Sequence, residues 1–400
     1  MRSKLKTMLL AFTATALTAS LIINPQASLD ASIRGLDMWW GVVFPSLLPF
    51  YIMAELLIGL GVVHFIGVLL EPLMRPLFRL PGVGGFVWAM GMASGFPSGA
   101  KLSARLRQEK YLSRVEAERL VSFTNSSNPL FIFGAVAVGF FHDPALGVIL
   151  AASHYLSNFL VGLLMRFHGR KKDGSADKRP PSFSVKQAWH ALHTKRLEEK
   201  RPLGKLIGDA ITSSIQTLLM VGGFIILFSV LNKMLTVAHV TEAASSVIRH
   251  VLQMARLPES FSIPVFSGMF EITLGSQLTS QAASGSLLQQ AMVVSLILGF
   301  SGFSVQAQVA SILADTDIRF RPYFIARIMQ SILAPACTFL LWKPLYENTQ
   351  TLHPGSGVPV FLPQPALSDG WQAINAYGPL FTLICLYLYL FLLLHKASKR

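Results

Sequence analysis

Lys101 and Glu271 are ionisable side chains standing beside runs of apolar sequence that cannot continue as helix. Lys101 follows Gly91-Met92-Ala93-Ser94-Gly95-Phe96-Pro97-Ser98-Gly99, where three glycines, a proline and two serines fall within nine residues. Glu271 lies inside Gly268-Met269-Phe270-Glu271-Ile272-Thr273-Leu274-Gly275. Two more interruptions carry polar groups: Thr124-Asn125-Ser126-Ser127-Asn128-Pro129, and Gly299-Phe300-Ser301-Gly302-Phe303-Ser304, followed by Gln306. The chemistry these residues suit is binding. At membrane depth, free amides, carbonyls and half-helix ends make a polar site, and an ionisable group there is a functional candidate. Competing roles exist for each. Lys101 can snorkel toward the interface with Arg105, Glu271 can bond neighbouring backbone, and Ser94, Ser98, Ser126, Ser127, Thr273, Ser301 and Ser304 can satisfy local carbonyls. Asn125 and Asn128 are stronger candidates, because a buried amide needs several partners.

Composition says where such a site would sit. Of 400 residues, 52% are hydrophobic and 14% charged, with a mean hydropathy of +0.51, whereas soluble domains are about a quarter charged. This is the composition of a polytopic membrane protein. The net charge of +14 would suggest nucleic acid in a soluble chain, but the basic residues cluster in loops between apolar runs, as cytoplasmic loops do. No nucleic-acid partner is expected; the expected partners are the lipid bilayer and a small molecule, and assembly as a homo-oligomer is left open. Cys337 and Cys385 lie in apolar runs and imply neither a disulfide framework nor a metal site. The sequence has no P-loop and no His-Glu-x-x-His motif, so ATP drive within the chain and zinc hydrolysis are not expected.

Along the chain, residues 1–35 hold a basic start and a short apolar run over 8–23, read as an uncleaved membrane anchor or a signal-like helix. Residues 38–63 are predicted to span, with kinks at Pro45 and Pro49 and an aromatic belt at Trp39 and Trp40. A hairpin is predicted with its turn at Gly95 to Gly99, followed by a broken helix over 120–141 and a helix over 145–165. Twelve Lys and Arg against four acids make 166–205 a basic cytoplasmic loop with an amphipathic stretch near Trp189. A helix over 206–236, an amphipathic segment over 237–257, a second hairpin within 258–285 and a second broken helix over 287–313 follow. Arg319, Arg321 and Arg327 are read as a cytoplasmic turn before a helix over 323–345. Residues 346–371 are placed outside, ahead of a last helix over 372–394.

These loop assignments give opposite orientations to the two halves. Gly91 to Asn125 and Gly268 to Gly302 are each 34 residues apart. The expected fold is therefore an all-α polytopic membrane protein with eight spans: an inverted repeat, 36–165 and 206–345, with two re-entrant helical hairpins and two broken transmembrane helices.

The segment Gly299 to Gln306 resembles the broken core helix of concentrative nucleoside transporters, in which a Gly-Phe-Ala-Asn-Phe-Ser-Ser type segment lines the nucleoside site. More of the chain, from about residue 36 to 345, resembles sporulation integral membrane proteins of the nucleoside-recognition Gate-domain family (YlbJ type). That likeness rests on the Gly-Phe-Pro-Ser-Gly turn, the Asn-Ser-Ser-Asn-Pro break and the Glu-Ile-Thr-x-Gly turn. It implies transport of dipicolinic acid across the outer forespore membrane, from the mother cell toward the spore. The chain departs from the nucleoside transporters at its first turn, with Ser94 and Lys101 in place of an acid, and at Gly302 in place of an amide.

Three functions follow as expectations. The first is a carrier of a small planar anion that needs no resident cofactor, with Lys101 as counter-charge. The second is a nucleoside or nucleobase carrier coupled to Na⁺ or H⁺, with carbonyls of 124–128 holding the ion. The third, of another class, is an intramembrane serine protease using Ser98 and His154.

Overall fold

A computed structural model of the chain describes residues 2–169, 185–198, 201–282 and 284–348. The expected last helix, the outer connection beyond Asn348 and residues 170–184 of the basic loop lie outside the described residues. All the regular elements described are helical. In order they are α1 (Arg2–Ile23), α2 (Pro25–Met38), α3 (Phe44–Gly59), α4 (Val62–Phe78), α5 (Val83–Ser94), α6 (Ser98–Gln108), α7 (Arg114–Thr124) and α8 (Pro144–Met165). The second half holds α9 (Val185–Glu198), α10 (Leu203–Val237), α11 (Val240–Met254), α12 (Ser262–Phe270), α13 (Ile272–Ser280), α14 (Leu287–Phe300), α15 (Gly302–Ala314) and α16 (Phe320–Trp342). Wider π-helical turns occupy Trp39–Val43, Leu130–Phe140 and Lys343–Glu347.

One group of helices frames the rest. α2, the Trp39–Val43 turn and α3 run on without a gap, and the 35-residue α10 packs along them. Trp39 corrects the expected aromatic belt: it is buried between α2 and α10, its indole donates to Leu218 O at 2.9 Å, and a Cβ on Gly222 would stand 2.5 Å from its ring. The absence of a side chain at Gly222 admits the indole. Trp40 remains exposed. At Gly61, a φ of 82° lets the chain turn, and α4 leaves α3 at 83°. The amphipathic α9 lies against α4, with Trp189 edge-on to Phe65.

The remaining helices carry the breaks, and local sequence explains each. α5 ends at Ser94 because Gly95 takes φ 81°, and Pro97, with no amide hydrogen to lose, precedes α6. α7 starts at a Ser113/Glu116 capping box and stops at Thr124, after which Asn125 is extended. In the second half the hairpin turn is tighter than expected, a single extended residue, Glu271, between α12 and α13. The second helix break is also reduced to one residue, Ser301 at φ 70°. Hairpin followed by interrupted helix thus occurs in both halves. A stacked pair, Phe78 on Phe123 at 4.5 Å between ring centres, anchors α7 against α4, with Trp88 and Phe159 edge-on or stacked beside it.

Four helices among the described residues are long and apolar enough to cross a membrane: Pro144–Met165, Leu203–Val237, Leu287–Ala314 and Phe320–Glu347. The bent pair Leu47–Gly59 with Val62–Phe78 is a fifth when taken as one span. The expected last span, 372–394, lies outside the described residues, so these helices are a partial set of the eight expected. The first broken helix is divided into pieces too short to qualify, and the apolar parts Ala11–Ile23 and Leu130–Phe140 are likewise short.

Candidate substrate site

The hairpin tips and helix breaks meet at a cavity of about 90 Å³ between the frame and the break-bearing helices. At roughly 10–15 Å³ per water position, it has room for several waters or a small ligand. Met38, Val43, Leu47, Val221 and Ile225 form the frame side. The opposite wall comes from the ends of helices: Gly95 and Phe96 before α6, Asn128, Leu130 and Phe131 opening the Leu130–Phe140 helix, Glu271, Ile272 and Thr273 opening α13, and Ser304 and Val305 in the first turn of α15. Three N-terminal ends reach this wall, those of the Leu130–Phe140 helix, α13 and α15, where amides and the helix dipole favour negative charge, beside the C-terminal ends of α5 at Gly95 and α12 at Glu271.

Of the residues chosen from sequence, Ser127, Asn128, Glu271, Thr273 and Ser304 line the cavity. Asn128 ties tip to break: its Nδ2 donates to Ser94 O at 3.2 Å, and its Oδ1 accepts from Phe131 N at 2.7 Å. Glu271 caps α13, accepting from Leu274 N at 2.8 Å. The Ser304 hydroxyl is buried with no hydrogen-bond partner in the protein.

The other choices stand behind this wall. Asn125 is fully buried, donating to Tyr323 Oη at 3.0 Å, and Ser126 donates to Gly91 O at 3.3 Å. Ser301 donates to Leu298 O at 3.4 Å, while Gln306 donates to Phe300 O at 3.0 Å. Ser94 is buried without a partner for its hydroxyl. The Ser98 hydroxyl donates to Gly95 O, and His154 Nε2 accepts from Ser127 N at 3.0 Å. Ser98 and His154 therefore bond other groups and not each other.

Lys101 does not face the cavity, which corrects its reading as the counter-charge. Its ammonium is 3.1 Å from Glu55 Oε1, bonds Ser213 Oγ at 3.2 Å and lies over the Tyr51 ring at 5.4 Å. α6 turns this side chain toward α3 and α10, where Glu55 neutralises it. Arg327 is the opposite case. Read from sequence as part of a turn, it is fully buried on α16, beneath the first break. Arg319 and Arg321 do sit at the turn, on the wall of a separate cavity of about 290 Å³ that touches neither hairpin. Beside it, burial pushes the Glu118 carboxyl up, but hydrogen bonds from Arg319 (2.7 and 2.8 Å) and His168 (2.7 Å) outweigh this and hold it below its ordinary value.

The family described as Gate, nucleoside recognition, matches residues 40–141 and 218–316, the two segments that carry the hairpins and breaks. The chain belongs to that family. It is 59% identical over 403 residues to the sporulation integral membrane protein YlbJ of Bacillus subtilis (strain 168), a match covering 99% of this chain and 98% of that protein. A solved structure of a doubly substituted CNTnw in an outward-facing state aligns over 82% of this chain and 87% of its own, at 12% identity and a TM-score of 0.40. The chain is an integral membrane protein of the Gate family, with both matched segments contributing to the cavity wall.

Sequence reasoning missed Gln308 on the wall, and Arg327, Gln330, Asn158 and Tyr323 behind it. Gln308 had a signal, lying one helical turn beyond Ser304 on the same face. Arg327 had none in its position, about two helical turns from Arg319 and Arg321.

Proposed function

We propose that this Gate-family protein is a transporter that moves a small organic anion, dipicolinic acid, across the outer forespore membrane during sporulation. The observation that carries the reading is the convergence of helix N-terminal turns on one cavity, from the Leu130–Phe140 helix, α13 and α15. Dipicolinate carries two carboxylates at neutral pH, and an anion at low dielectric needs donors or dipoles in place of water. The helix ends supply these without Lys101. The similarity to a sporulation integral membrane protein supports a role in sporulation.

The cavity lies where the α2–α3–α10 frame meets the helices that carry hairpins and breaks, so a rocking or elevator movement of one group against the other exposes it to alternate sides. The two halves are inverted repeats, each hairpin re-entering from its own side, with the N-terminus in the cytoplasm. Uptake of labelled dipicolinate into vesicles containing only this protein, with and without imposed ion gradients, tests the reading. Absence of uptake above protein-free vesicles under every gradient refutes it.

A second reading, a nucleoside carrier, is favoured by Glu271 on the wall together with Phe96 and Phe131, since a carboxylate accepts from sugar hydroxyls and aromatic rings stack on bases. Competition of uridine against dipicolinate uptake separates the two.

A further inference from the structure

We propose that Arg327 is the resident cation of the first helix break: its guanidinium fills the carbonyl-rich place where a coupling metal ion would otherwise bind, so no alkali cation is needed there. The inference rests on the transport reading above. Half-helix C-terminal ends and unwound carbonyls at membrane depth attract cations. α7 ends inside the molecule at Thr124, which leaves its last carbonyls without helical partners.

Arg327 Nη1 donates to Asn125 O at 3.2 Å and bonds Gln330 Oε1; Nη2 bonds Ser122 O and donates to Asn158 Oδ1 at 3.3 Å. All four acceptors are neutral oxygens, two backbone carbonyls and two amides, and none of the described ion pairs involves Arg327. A guanidinium with no exposed surface is being held by dipoles alone, aided by the Tyr323 ring at 5.3 Å. These are the oxygen types an alkali cation would use. Here they converge on a charge tethered to α16, which also joins the break to α8 through Asn158.

The other freed carbonyls meet neutral donors. Ser127 O accepts from Tyr155 Oη at 3.0 Å, and Phe300 O, at the end of α14, accepts from Gln306 Nε2 at 3.0 Å. Within 124–128, the stretch expected to hold a coupling ion, the carbonyls of Asn125 and Ser127 are thus occupied by the chain itself.

Thermal unfolding of the purified full-length protein, with no substrate present, tests this in sodium, lithium, potassium and choline chloride at equal ionic strength. The wild type is expected to unfold at one midpoint in all four salts. Arg327→Ala is expected to unfold lower and to recover saturably with methylguanidinium, sodium or lithium, and not with choline. A saturable sodium- or lithium-specific rise in the wild type overturns the proposal. So does Arg327→Ala at the wild-type midpoint, or one that no cation restores, since the side chain would then act by packing. Where Arg327→Ala does not fold, the wild-type series decides, together with Arg327→Lys, which keeps the charge and is expected to stay indifferent to sodium; sodium sensitivity in Arg327→Lys counts against the proposal. Because no readout uses substrate, failure here leaves the transport reading standing, and failed dipicolinate uptake leaves this inference standing.

Discussion

Gly99→Ala tests whether hairpin and break form one packed unit. A Cβ at Gly99 would stand 2.2 Å from Thr124 O, 2.4 Å from its carbon and 2.8 Å from Asn125 N, all backbone atoms that no rotamer change can move. To regain van der Waals contact the two segments must part by roughly 1 Å along this line. Thr124 O cannot retreat freely, because a Cβ at Gly91 would stand only 2.0 Å from it. Opening by that amount also breaks the 3.2 Å bond from Asn128 to Ser94 O. Overpacking of about 1–3 kcal/mol and a lost buried hydrogen bond of about 1 kcal/mol together predict a loss on the order of 2–4 kcal/mol.

The assay is the thermal midpoint of the purified protein, with dipicolinate uptake measured beside it; both are expected to fall. Gly223→Ala is the control. No atom lies within 4 Å of a Cβ there, and a mid-helix glycine replaced by alanine gains about 0.5–1 kcal/mol. Gly99→Ala with wild-type midpoint and uptake would refute the packing argument.

Asn128→Ala removes the cap on Phe131 N and the bond to Ser94 O, so stability is expected to fall by about 1–2 kcal/mol and uptake to be lost; normal uptake would detach Asn128 from the site. Glu55→Ala strands Lys101 and is expected to cost about 3 kcal/mol, while Glu55→Leu with Lys101→Met recovers most of it and keeps uptake, as judged by unfolding midpoints and vesicle assays. Glu118 titrates below its ordinary 4.5 in the folded protein, so its stabilisation is fully present above that pH and is lost as pH falls through the lowered value. The midpoint difference between wild type and Glu118→Gln is therefore expected to be constant near neutrality and to shrink below pH 4.5.

The breaks were legible because glycine, proline and asparagine change backbone preference whatever surrounds them. Gly95 at positive φ and Pro97 ahead of α6 act where their types predict, and in each half a hairpin glycine packs near the following break. Gly91 lies against Thr124, and Gly302 lies against Gly268. What was not legible depends on side-chain direction. Lys101 is beside the turn in sequence, but one helical position decides whether it meets the cavity or Glu55, which lies 46 residues earlier on α3. Arg327 reads as a loop charge because its acceptors, Ser122, Asn125 and Asn158, are more than 160 residues away and three of its four acceptors come from other helices or the break. No local pattern encodes a charge held by distant carbonyls.

Glu271 discriminates between the two substrate classes. Its side chain lines the cavity while also capping α13, so glutamine at this position removes the charge yet keeps an oxygen for Leu274 N. At an effective dielectric of 20 and ~5 Å, a carboxylate repels each unit charge on a ligand by roughly 3 kcal/mol. The α13 amides offset part of this, and if half remains, relief is about 1.5 kcal/mol, a tenfold gain in apparent affinity. For an anion, Glu271→Gln is therefore expected to lower the apparent KM for dipicolinate about tenfold, whereas Glu271→Ala, which also loses the cap, is expected to lower stability by about 1 kcal/mol. A nucleoside has the opposite requirement: its hydroxyls donate to the carboxylate, and Glu271→Gln weakens uridine uptake. Concentration series of both substrates in the same vesicles measure the two effects. Unchanged dipicolinate affinity with impaired uridine uptake would place a nucleoside, and not an anion, against this residue.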